Sequence, residues 1–230
     1  MQNISFVNLL ITLIPLVFVW YYYKKWTKDS SEIIISTIRM LIQLLAIGYL
    51  LIFIFESKNI FLGLFIICFM IIVSSFIAIR NTIDKSLRHY LHILISILIS
   101  GVINLFIVIL VLNLEYAYEP RYIIPLAGMI FANTMNALSL AIERFEKEIQ
   151  RGLEFEQARE ISFKACMIPQ INSLLAVGLV SLPGMMTGQI LSGVDPLIAV
   201  RYQIMIMTMI LSSAGISAII YFILKKKFTY

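Results

Sequence analysis

An arginine and a glutamine stand inside one of the most apolar runs of this sequence. Arg39 and Gln43 follow Ser36 at helical spacing, so the three side chains share one face, while the rest of residues 33–55 is almost wholly apolar. An arginine at the centre of a membrane helix costs roughly 2.5 to 3.5 kcal/mol on insertion scales, so it needs a partner or water. Two interpretations stay open: Arg39 reaches the lipid headgroups, or it faces a pathway for a polar solute.

Two asparagines, Asn133 and Asn136, interrupt another apolar run at residues 122–142, and their spacing places them on one helix face. Amide side chains in lipid either line a polar pathway or hydrogen-bond to a neighbouring helix, a contact of around 0.6 kcal/mol. A third run repeats the pattern at i+4 spacing, and there we expect contact between helices alone. Its polar residues are Ser96, Ser100 and Asn104.

The stretch SLPGMMTGQILSGVDPLIAVRYQIMIM, residues 181–207, is rich in glycine and has proline near each end. Both residues interrupt helices, and backbone groups freed at membrane depth have to face protein or a wet cavity. Broken helices of this kind are typical of transport pathways. We therefore predict a break at residues 183–189 that faces a solute pathway, with Asp195 and Arg201 near its outer mouth. The predicted pathway residues are Arg39, Gln43, Asn133, Asn136, Pro183, Gly184, Met185, Met186, Thr187, Gly188, Gln189, Asp195, Arg201 and Gln203.

Residues that could hold a metal ion form no recognisable set in the sequence. Met205, Met207 and Met209 alternate, so on a helix they point in different directions, and core filling explains them more simply. His89 and His92 lie three apart in RHYLH, which we predict to be a loop without an acidic third ligand nearby. We therefore assign no metal site.

The familiar catalytic motifs do not occur in this sequence. There is no GxxxxGK[ST] phosphate loop, so the chain cannot bind and hydrolyse ATP by that route. There is also no GxSxG or HExxH motif, which argues against the usual hydrolases and proteases. Cys68 is expected within the third helix and Cys166 in a cytoplasmic segment, so no disulfide is expected and both are interpreted as inert apolar fillers. No enzymatic activity is expected.

The composition defines the elements that position these residues. With 60% hydrophobic residues, 13% charged residues and a mean hydropathy of +0.94, the chain is predicted to be an all-α integral membrane protein. Apolar runs of about 20 residues match helices that cross a bilayer. We predict a single domain, residues 1–230, with seven such helices. They are residues 4–23, 33–55, 60–79, 93–114, 122–142, 169–191 and 197–224.

The basic residues predict how this bundle is oriented. They concentrate in alternate connections and at the C-terminus, whereas the opposite connections carry only Lys58, Arg121 and Arg201. By the positive-inside rule, the N-terminus lies outside and the C-terminus in the cytoplasm. The net charge of +5 therefore reflects topology, and no nucleic acid partner is expected.

The longest connection, residues 143–167, is charged and lacks proline, and it is predicted to form a short cytoplasmic helical pair with a bend at Gly152. Its apolar residues recur at helical spacing, which indicates one apolar face. Such a face either docks on a protein or lies on lipid, and the many glutamates favour docking. The predicted docking residues are Arg151, Gly152, Leu153, Glu154, Phe155, Glu156 and Ala158.

These residues resemble the FetB-like permeases, the membrane subunits of iron-export ABC transporters, whose plant relatives are implicated in aluminium tolerance. The resemblance extends over nearly the whole chain. It is strongest in VGLVSLPGMMTGQILSGVDPLIAVRYQIMIM from Val177, and it includes RMLIQL from Arg39 and GMIFANTMNALSLAIER from Gly128. It implies a homodimer in a bacterial inner membrane that exports a metal ion, iron, with a separate ATPase subunit that binds ATP and Mg²⁺.

Two other functions remain open at this point. The first is a channel or secondary transporter that works without ATP, with the broken helix as its pore. The second is a membrane scaffold that binds a signalling or assembly partner and moves no solute. We expect the permease, with leucine or phenylalanine side chains of residues 151–158 entering a groove on the ATPase.

Overall fold

The structure is a computed structural model that describes residues 5–29, 31–57, 59–113 and 118–229. The described chain is helical throughout, apart from short connections and one isolated bridge between Val177 and Ser181. It divides into two compact units, Met1–Ser57 and Lys58–Tyr230. Among the described residues, five helices are long and apolar enough to cross a membrane.

The first unit contains three helices, α1 (Phe6–Ile11), α2 (Ile14–Thr27) and α3 (Ser31–Glu56). The hydroxyl of Ser5 caps α1 by accepting a hydrogen bond from the amide of Asn8 at 3.2 Å. The run predicted as one span at residues 4–23 is divided at Thr12, because Pro15 in the first turn of α2 has no amide to continue the helix. Lys28 ends α2 in the left-handed region, with a φ of 62°.

The second unit contains α4 (Ile60–Ala78), α5 (Leu87–Leu112), α6 (Pro120–Gln150), α7 (Phe155–Ala176), α8 (Gly184–Leu191) and α9 (Pro196–Thr229). The helices α4 and α5 begin where the side chains of Asn59 and Ser86 accept backbone hydrogen bonds. The long helix α6 packs against α4, α5, α7 and α9. The core therefore lies around α6 and is filled by Ile93, Ile97, Ile130, Leu138, Ile142, Phe145 and Tyr221, all 1% exposed or less.

Polar side chains join α5 to α9 inside this core. The Ser100 hydroxyl donates to the carbonyl oxygen of Ser213 at 2.7 Å, and the Ser212 hydroxyl donates to the side-chain oxygen of Asn104. The helix contact predicted for Ser100 and Asn104 is therefore confirmed. Ser96 instead donates to the carbonyl oxygen of His92 in its own helix, at 2.6 Å.

The interruption expected at residues 183–189 lies earlier in the chain. The helix α7 ends at Ala176, and a tight turn follows in which Gly178 has a φ of 81° and its amide donates to the carbonyl oxygen of Ser181. Pro183 then precedes α8, a position that needs no backbone amide, so Gly184 to Gln189 are helical. The prediction that these residues form a non-helical break is wrong, because two glycines are tolerated within one short helix. A second interruption follows at Gly193, with a φ of 90°.

The segment predicted as a short helical pair consists of the ends of two long helices. Residues 143–150 complete α6, and α7 starts at Phe155 and continues to Ala176. The predicted bend at Gly152 is present, with a φ of 87° that favours glycine. His89 and His92, predicted in a loop, are buried on α5.

Candidate functional site: a polar cavity beside the helix break

A cavity of about 440 Å³ lies where α7 ends and the chain turns toward α8. It is formed by α6, α7, α9 and the turn itself, so the broken segment forms part of its wall. Its lining residues are Asn133, Gln170, Asn172, Ser173, Ala176, Val177, Ser181, Pro183, Met207 and Ile210.

The polar groups of this lining are neutral amides and hydroxyls. The amide nitrogen of Asn133 donates to the carbonyl oxygen of Met129 at 2.8 Å, which leaves its side-chain oxygen available to accept a hydrogen bond. The Ser173 hydroxyl donates to the carbonyl oxygen of Pro169 at 2.9 Å. Gln170 is 7% exposed, so its amide is held between the helices. The cavity can therefore donate and accept hydrogen bonds without carrying a charge.

The cavity is open at the surface, where Asn172, Ser173 and Ser181 are exposed, and it lies far along the helices from the turn that joins α6 to α7. At a rise of about 1.5 Å per residue, Asn133 is about 26 Å from the end of α6 at Gln150. Gln170 lies at a similar distance, about 23 Å, from the start of α7 at Phe155. Both helices therefore bring amide side chains to one level, far from the turn that joins them.

Of the predicted pathway residues, only Asn133 and Pro183 line this cavity. Asn136, two residues from the buried Thr134, is exposed on α6. In the first unit, Arg39 and Gln43 are exposed along α3.

The remaining pathway candidates lie on α8 and the start of α9. Met185 packs against the core, and the Thr187 hydroxyl donates to the carbonyl oxygen of Pro183 at 3.1 Å. Asp195 caps α9, since its carboxylate accepts the amide of Leu197 at 2.8 Å. Met186, Gly188 and Gln189 are half-buried, Gly184 and Arg201 are exposed, and Gln203 is 5% exposed.

Two glutamine side chains in this region are incompletely satisfied. The Oε1 atoms of Gln189 on α8 and Gln203 on α9 are buried and accept no hydrogen bond from the part of the chain that the structure describes. A buried carbonyl without a donor costs about 1 to 3 kcal/mol. Each of the two helices therefore carries a buried side-chain oxygen that could accept a hydrogen bond from a group other than the described residues.

Sequence reasoning missed the α7 side of the cavity. Gln170, Asn172 and Ser173 lie in PQINS, just after Pro169, and on α7 they face Asn133 across the cavity. The signal was a second cluster of amides in an apolar run. The glycine-rich end of the predicted span from residue 169 is the more conspicuous feature of that run.

The opposite end of the second unit gathers basic residues, and we call it the basic end: residues 79–88, 143–164 and 221–228. The Glu146 carboxylate accepts the amide of Ile83 at 2.7 Å, which fastens the connection between α4 and α5 to α6. Lys225 lies 3.5 Å from the carboxylate of Asp84, and Lys226 pairs with Glu156. The connections of the second unit that the charge pattern assigned to the cytoplasmic side therefore lie together at the basic end.

The predicted docking residues lie at this basic end, but their apolar side chains face inward. Ala158 is fully buried, and Leu153 and Phe155 pack against the core as half-buried residues. Arg151, Gly152, Glu154 and Glu156 are exposed. Arg151 and Arg144 both pair with the buried carboxylate of Glu148, at 2.9 and 2.7 Å. The exposed surface of the turn therefore consists of charged residues and glycine.

An apolar groove of about 1090 Å³ runs beside the turn between α7 and α9. Its floor contains Phe155, Phe163, Ile219, Phe222 and Ile223, and its rim carries Glu156, Arg159, Glu160, Lys164, Lys226 and Lys227. A hydrogen bond from Lys226, together with Arg159 nearby, holds the pKa of Glu156 below its usual value. The groove is thus framed by fixed charges of both signs.

Of the two buried histidines on α5, His89 has a hydrogen-bond partner at each ring nitrogen, whereas Nδ1 of His92 has none among the described residues. His89 is 1% exposed, and its ring nitrogens lie 2.6 Å from the carbonyl oxygen of Asp84 and 2.9 Å from the hydroxyl of Tyr221. The described residues contain no group of three or more His, Cys, Asp or Glu side chains placed to hold a metal ion. Cys166 is fully buried on α7, and its thiol lies 3.2 Å from the carbonyl oxygen of Phe163 in its own helix.

The apolar helices and the polar cavity among them define a multi-pass helical membrane protein. The profile of the family described as "Uncharacterised protein family (UPF0014)" matches residues 4–229, and the chain belongs to that family. The sequence resemblance to FetB-like permeases is thereby confirmed.

Three relatives illustrate the range of the family. "Probable iron export permease protein FetB" from Escherichia coli is 34% identical over 83% of this chain and 78% of its own length. "UPF0014 membrane protein slr1647" from Synechocystis is 37% identical over 79% of this chain and 76% of its own. "Protein ALUMINUM SENSITIVE 3" from Arabidopsis thaliana is 32% identical over 83% of this chain and 74% of its own. No solved structure matches the chain.

Proposed function

We propose that this chain is the membrane-spanning subunit of an ABC-type exporter of iron, driven by ATP that a separate subunit hydrolyses. The observation that carries the proposal is the polar cavity beside the helix break, whose lining includes Asn133 and Pro183. Open space lined by hydrogen-bonding groups at a broken membrane helix is characteristic of substrate sites in transporters. The printed name of the Escherichia coli relative supports iron as the transported metal.

The motor has to come from another chain, because this sequence contains no phosphate loop. We place the ATPase contact at the basic end, on the turn from Arg151 to Glu154 and along the neighbouring groove. The exposed side chains of Arg151, Glu154 and Glu156 supply polar contacts, and the apolar floor of the groove offers area to bury. ATP and Mg²⁺ belong to that partner.

Movement of the turn can reach the cavity through continuous packing. The ring of Phe145 contacts those of Phe155 and Phe222, with centroids 5.2 and 5.4 Å apart, so α6, α7 and α9 meet directly behind the turn. The same three helices form the walls of the cavity. In this mechanism, closure of two ATPase subunits tilts α6 and α7 together and exposes the cavity to opposite sides of the membrane in turn.

The proposed assembly is a homodimer with two ATPase subunits in the bacterial inner membrane. Each copy crosses the bilayer seven times, with the N-terminus outside and the basic end in the cytoplasm. The break is part of one crossing, which α7 begins and α8 completes. The positive-inside distribution of basic residues supports this orientation.

The test is transport by the reconstituted complex. The chain is co-expressed with its ATPase, captured through a tag on the ATPase, and placed in inside-out vesicles that contain an iron-sensitive dye. We expect iron to accumulate only when ATP and Mg²⁺ are supplied. An ATPase whose phosphate-loop lysine is replaced by alanine provides the matched control. Iron entry that does not require ATP supports a channel, and no iron entry by an intact complex excludes transport of this substrate.

A further inference from the structure

The chemistry of the cavity restricts the form in which a metal can be carried. We infer that the cavity selects a ligand-complexed metal ion of low net charge, recognised by hydrogen bonds to its ligand shell, and not a bare or hydrated cation. This inference rests on the proposed transport function and specifies its substrate class.

The first observation is the set of groups that line the cavity. Asn133, Gln170, Asn172, Ser173 and Ser181 supply amides and hydroxyls, and Met207 supplies a single thioether. Protein sites for hard cations combine carbonyl oxygens with carboxylates that balance the charge, and sites for transition metals use imidazole or thiolate, and the described lining residues include no carboxylate, imidazole or thiolate. Neutral amides match the oxygens and bound waters of an organic ligand shell far better than they match a dehydrated ion.

The second observation concerns charge. The described lining of the cavity contains no charged side chain, and Gln170 is nearly buried. An ion held against the buried Gln170 wall, where no countercharge is present among the described residues, costs several kcal/mol. A formally neutral complex avoids most of this cost, so the cavity favours complexes whose ligand already balances the metal charge.

The third observation is size. Six first-shell waters occupy roughly 180 Å³ at about 30 Å³ each. The cavity measures about 440 Å³, which leaves space for a metal ion together with a multidentate carboxylate ligand. Recognition of this kind uses both donors and acceptors, and the amides of Asn133 and Gln170 provide both.

Binding of defined iron species to the complex in lipid nanodiscs tests the inference by equilibrium dialysis. The neutral probe is ferric iron in a 1:3 complex with maltol, a bidentate monoanion that fills all six coordination positions, and the gallium complex is its redox-inert match. Ferrous iron without a chelator, under anaerobic conditions, is the cationic probe. We expect the two neutral complexes to bind alike and ferrous iron at least roughly tenfold more weakly, a difference of about 1.4 kcal/mol. Equal or tighter binding of ferrous iron overturns the inference.

Variants of Gln170 connect the result to the cavity. Gln170→Leu removes a buried hydrogen-bonding group and should weaken binding of both neutral complexes by roughly 5-fold to 100-fold. Gln170→Glu keeps the shape and adds a carboxylate, so it should shift the preference toward ferrous iron. The control is Thr208→Val, because the Thr208 hydroxyl bonds to the carbonyl oxygen of Ile204 in its own helix at 3.0 Å. Unchanged preference in a correctly folded Gln170→Glu complex contradicts the inference.

The two proposals fail in different ways. If the complex moves no iron in any form with ATP, the proposed function is wrong. If it moves iron with ATP but carries ferrous iron as well as the neutral chelate, the exporter stands and the selectivity inferred from the cavity is wrong.

Discussion

The ring of Phe155 stands edge-on to the ring of Phe145, with their centroids 5.2 Å apart and their planes at 71°. This contact joins the first residue of α7 to the buried last turns of α6, directly behind the turn at Gly152. An apolar residue that the sequence assigned to a partner surface is therefore part of the internal packing. Phe155 also lines the apolar groove between α7 and α9, so this one side chain connects the groove to the core behind it.

Replacing Phe155 with alanine should uncouple the ATPase from transport. Aromatic pairs of this geometry contribute about 0.5 to 1.5 kcal/mol beyond the area they bury, so coupling should fall roughly 2-fold to 10-fold. The measurement is iron transported per ATP hydrolysed in vesicles. Gln150→Ala, at the exposed end of α6, is the control. An unchanged ratio for Phe155→Ala would remove the aromatic contact from the mechanism.

Gly101 allows α5 and α6 to approach closely, and Gly101→Ala should destabilise the bundle. A Cβ at this position would lie 2.4 Å from the Cε1 atom of Phe131, whose side chain is only 2% exposed and has little room to move. Overpacking of this kind costs typically about 1 to 3 kcal/mol.

The matched control for this substitution is Gly128→Ala on α6. There the nearest atom to a new Cβ is the terminal methyl of Met70 at 3.9 Å, an ordinary contact. Alanine is also the better helix former by about 0.5 to 1 kcal/mol, so this variant should be neutral or stabilised. Thermal unfolding in detergent compares the two variants, and equal midpoints would contradict the packing described for Gly101.

Asp84 should stabilise the basic end in a pH-dependent manner. Partial burial raises the pKa of Asp84, but hydrogen bonds from Ser86 and attraction to His89 and Lys225 outweigh it, so the pKa lies below 3.8. A depressed carboxyl pKa stabilises the fold above the unfolded value, and this stabilisation is lost as pH falls through the folded pKa.

Thermal unfolding of the native chain and of Asp84→Asn tests this prediction. The native chain should be the more stable of the two at pH 6 and should lose that advantage on acidification below about pH 4. The control is Asp29→Asn in the first unit, where hydrogen bonds from Ser31 also lower the carboxyl pKa. This variant measures how much an exposed carboxylate contributes to thermal stability. A difference between native chain and Asp84→Asn that stays constant with pH would exclude the ion pair with Lys225.

The long apolar runs predicted much of the fold. Residues 33–55, 60–79 and 197–224 correspond closely to α3, α4 and α9, because length and hydropathy suffice to define a helix inside lipid. The pattern could not predict where the chain breaks near Pro183. A proline is compatible with the start of a helix as well as with its end. In the structure the chain turns at Gly178, and Pro183 precedes the start of α8.

The candidate site was predictable only in part. The asparagine spacing identified Asn133, but periodicity alone could not separate it from Asn136, which is exposed. The partners of Asn133, such as Gln170, depend on how α6 packs against α7, and that packing involves residues far apart in the sequence. In the same way, the apolar periodicity of residues 145–165 indicated a buried face, but the sequence could not specify whether its own bundle or a partner covers that face.

Solute is proposed to pass beside the break between α7 and α8, and chemical labelling of Ser173→Cys tests this passage most directly. The substitution is made in a Cys68→Ser background, since Cys68 is exposed and Cys166 is buried. A charged, membrane-impermeant thiol reagent is added to vesicles, with Thr208→Cys, an exposed α9 position, as the control. We expect the cysteine at 173 to react and transport to stop, while the cysteine at 208 stays unmodified in lipid. If the cysteine at 173 does not react, or if transport continues after it has reacted, the cavity is not on the pathway.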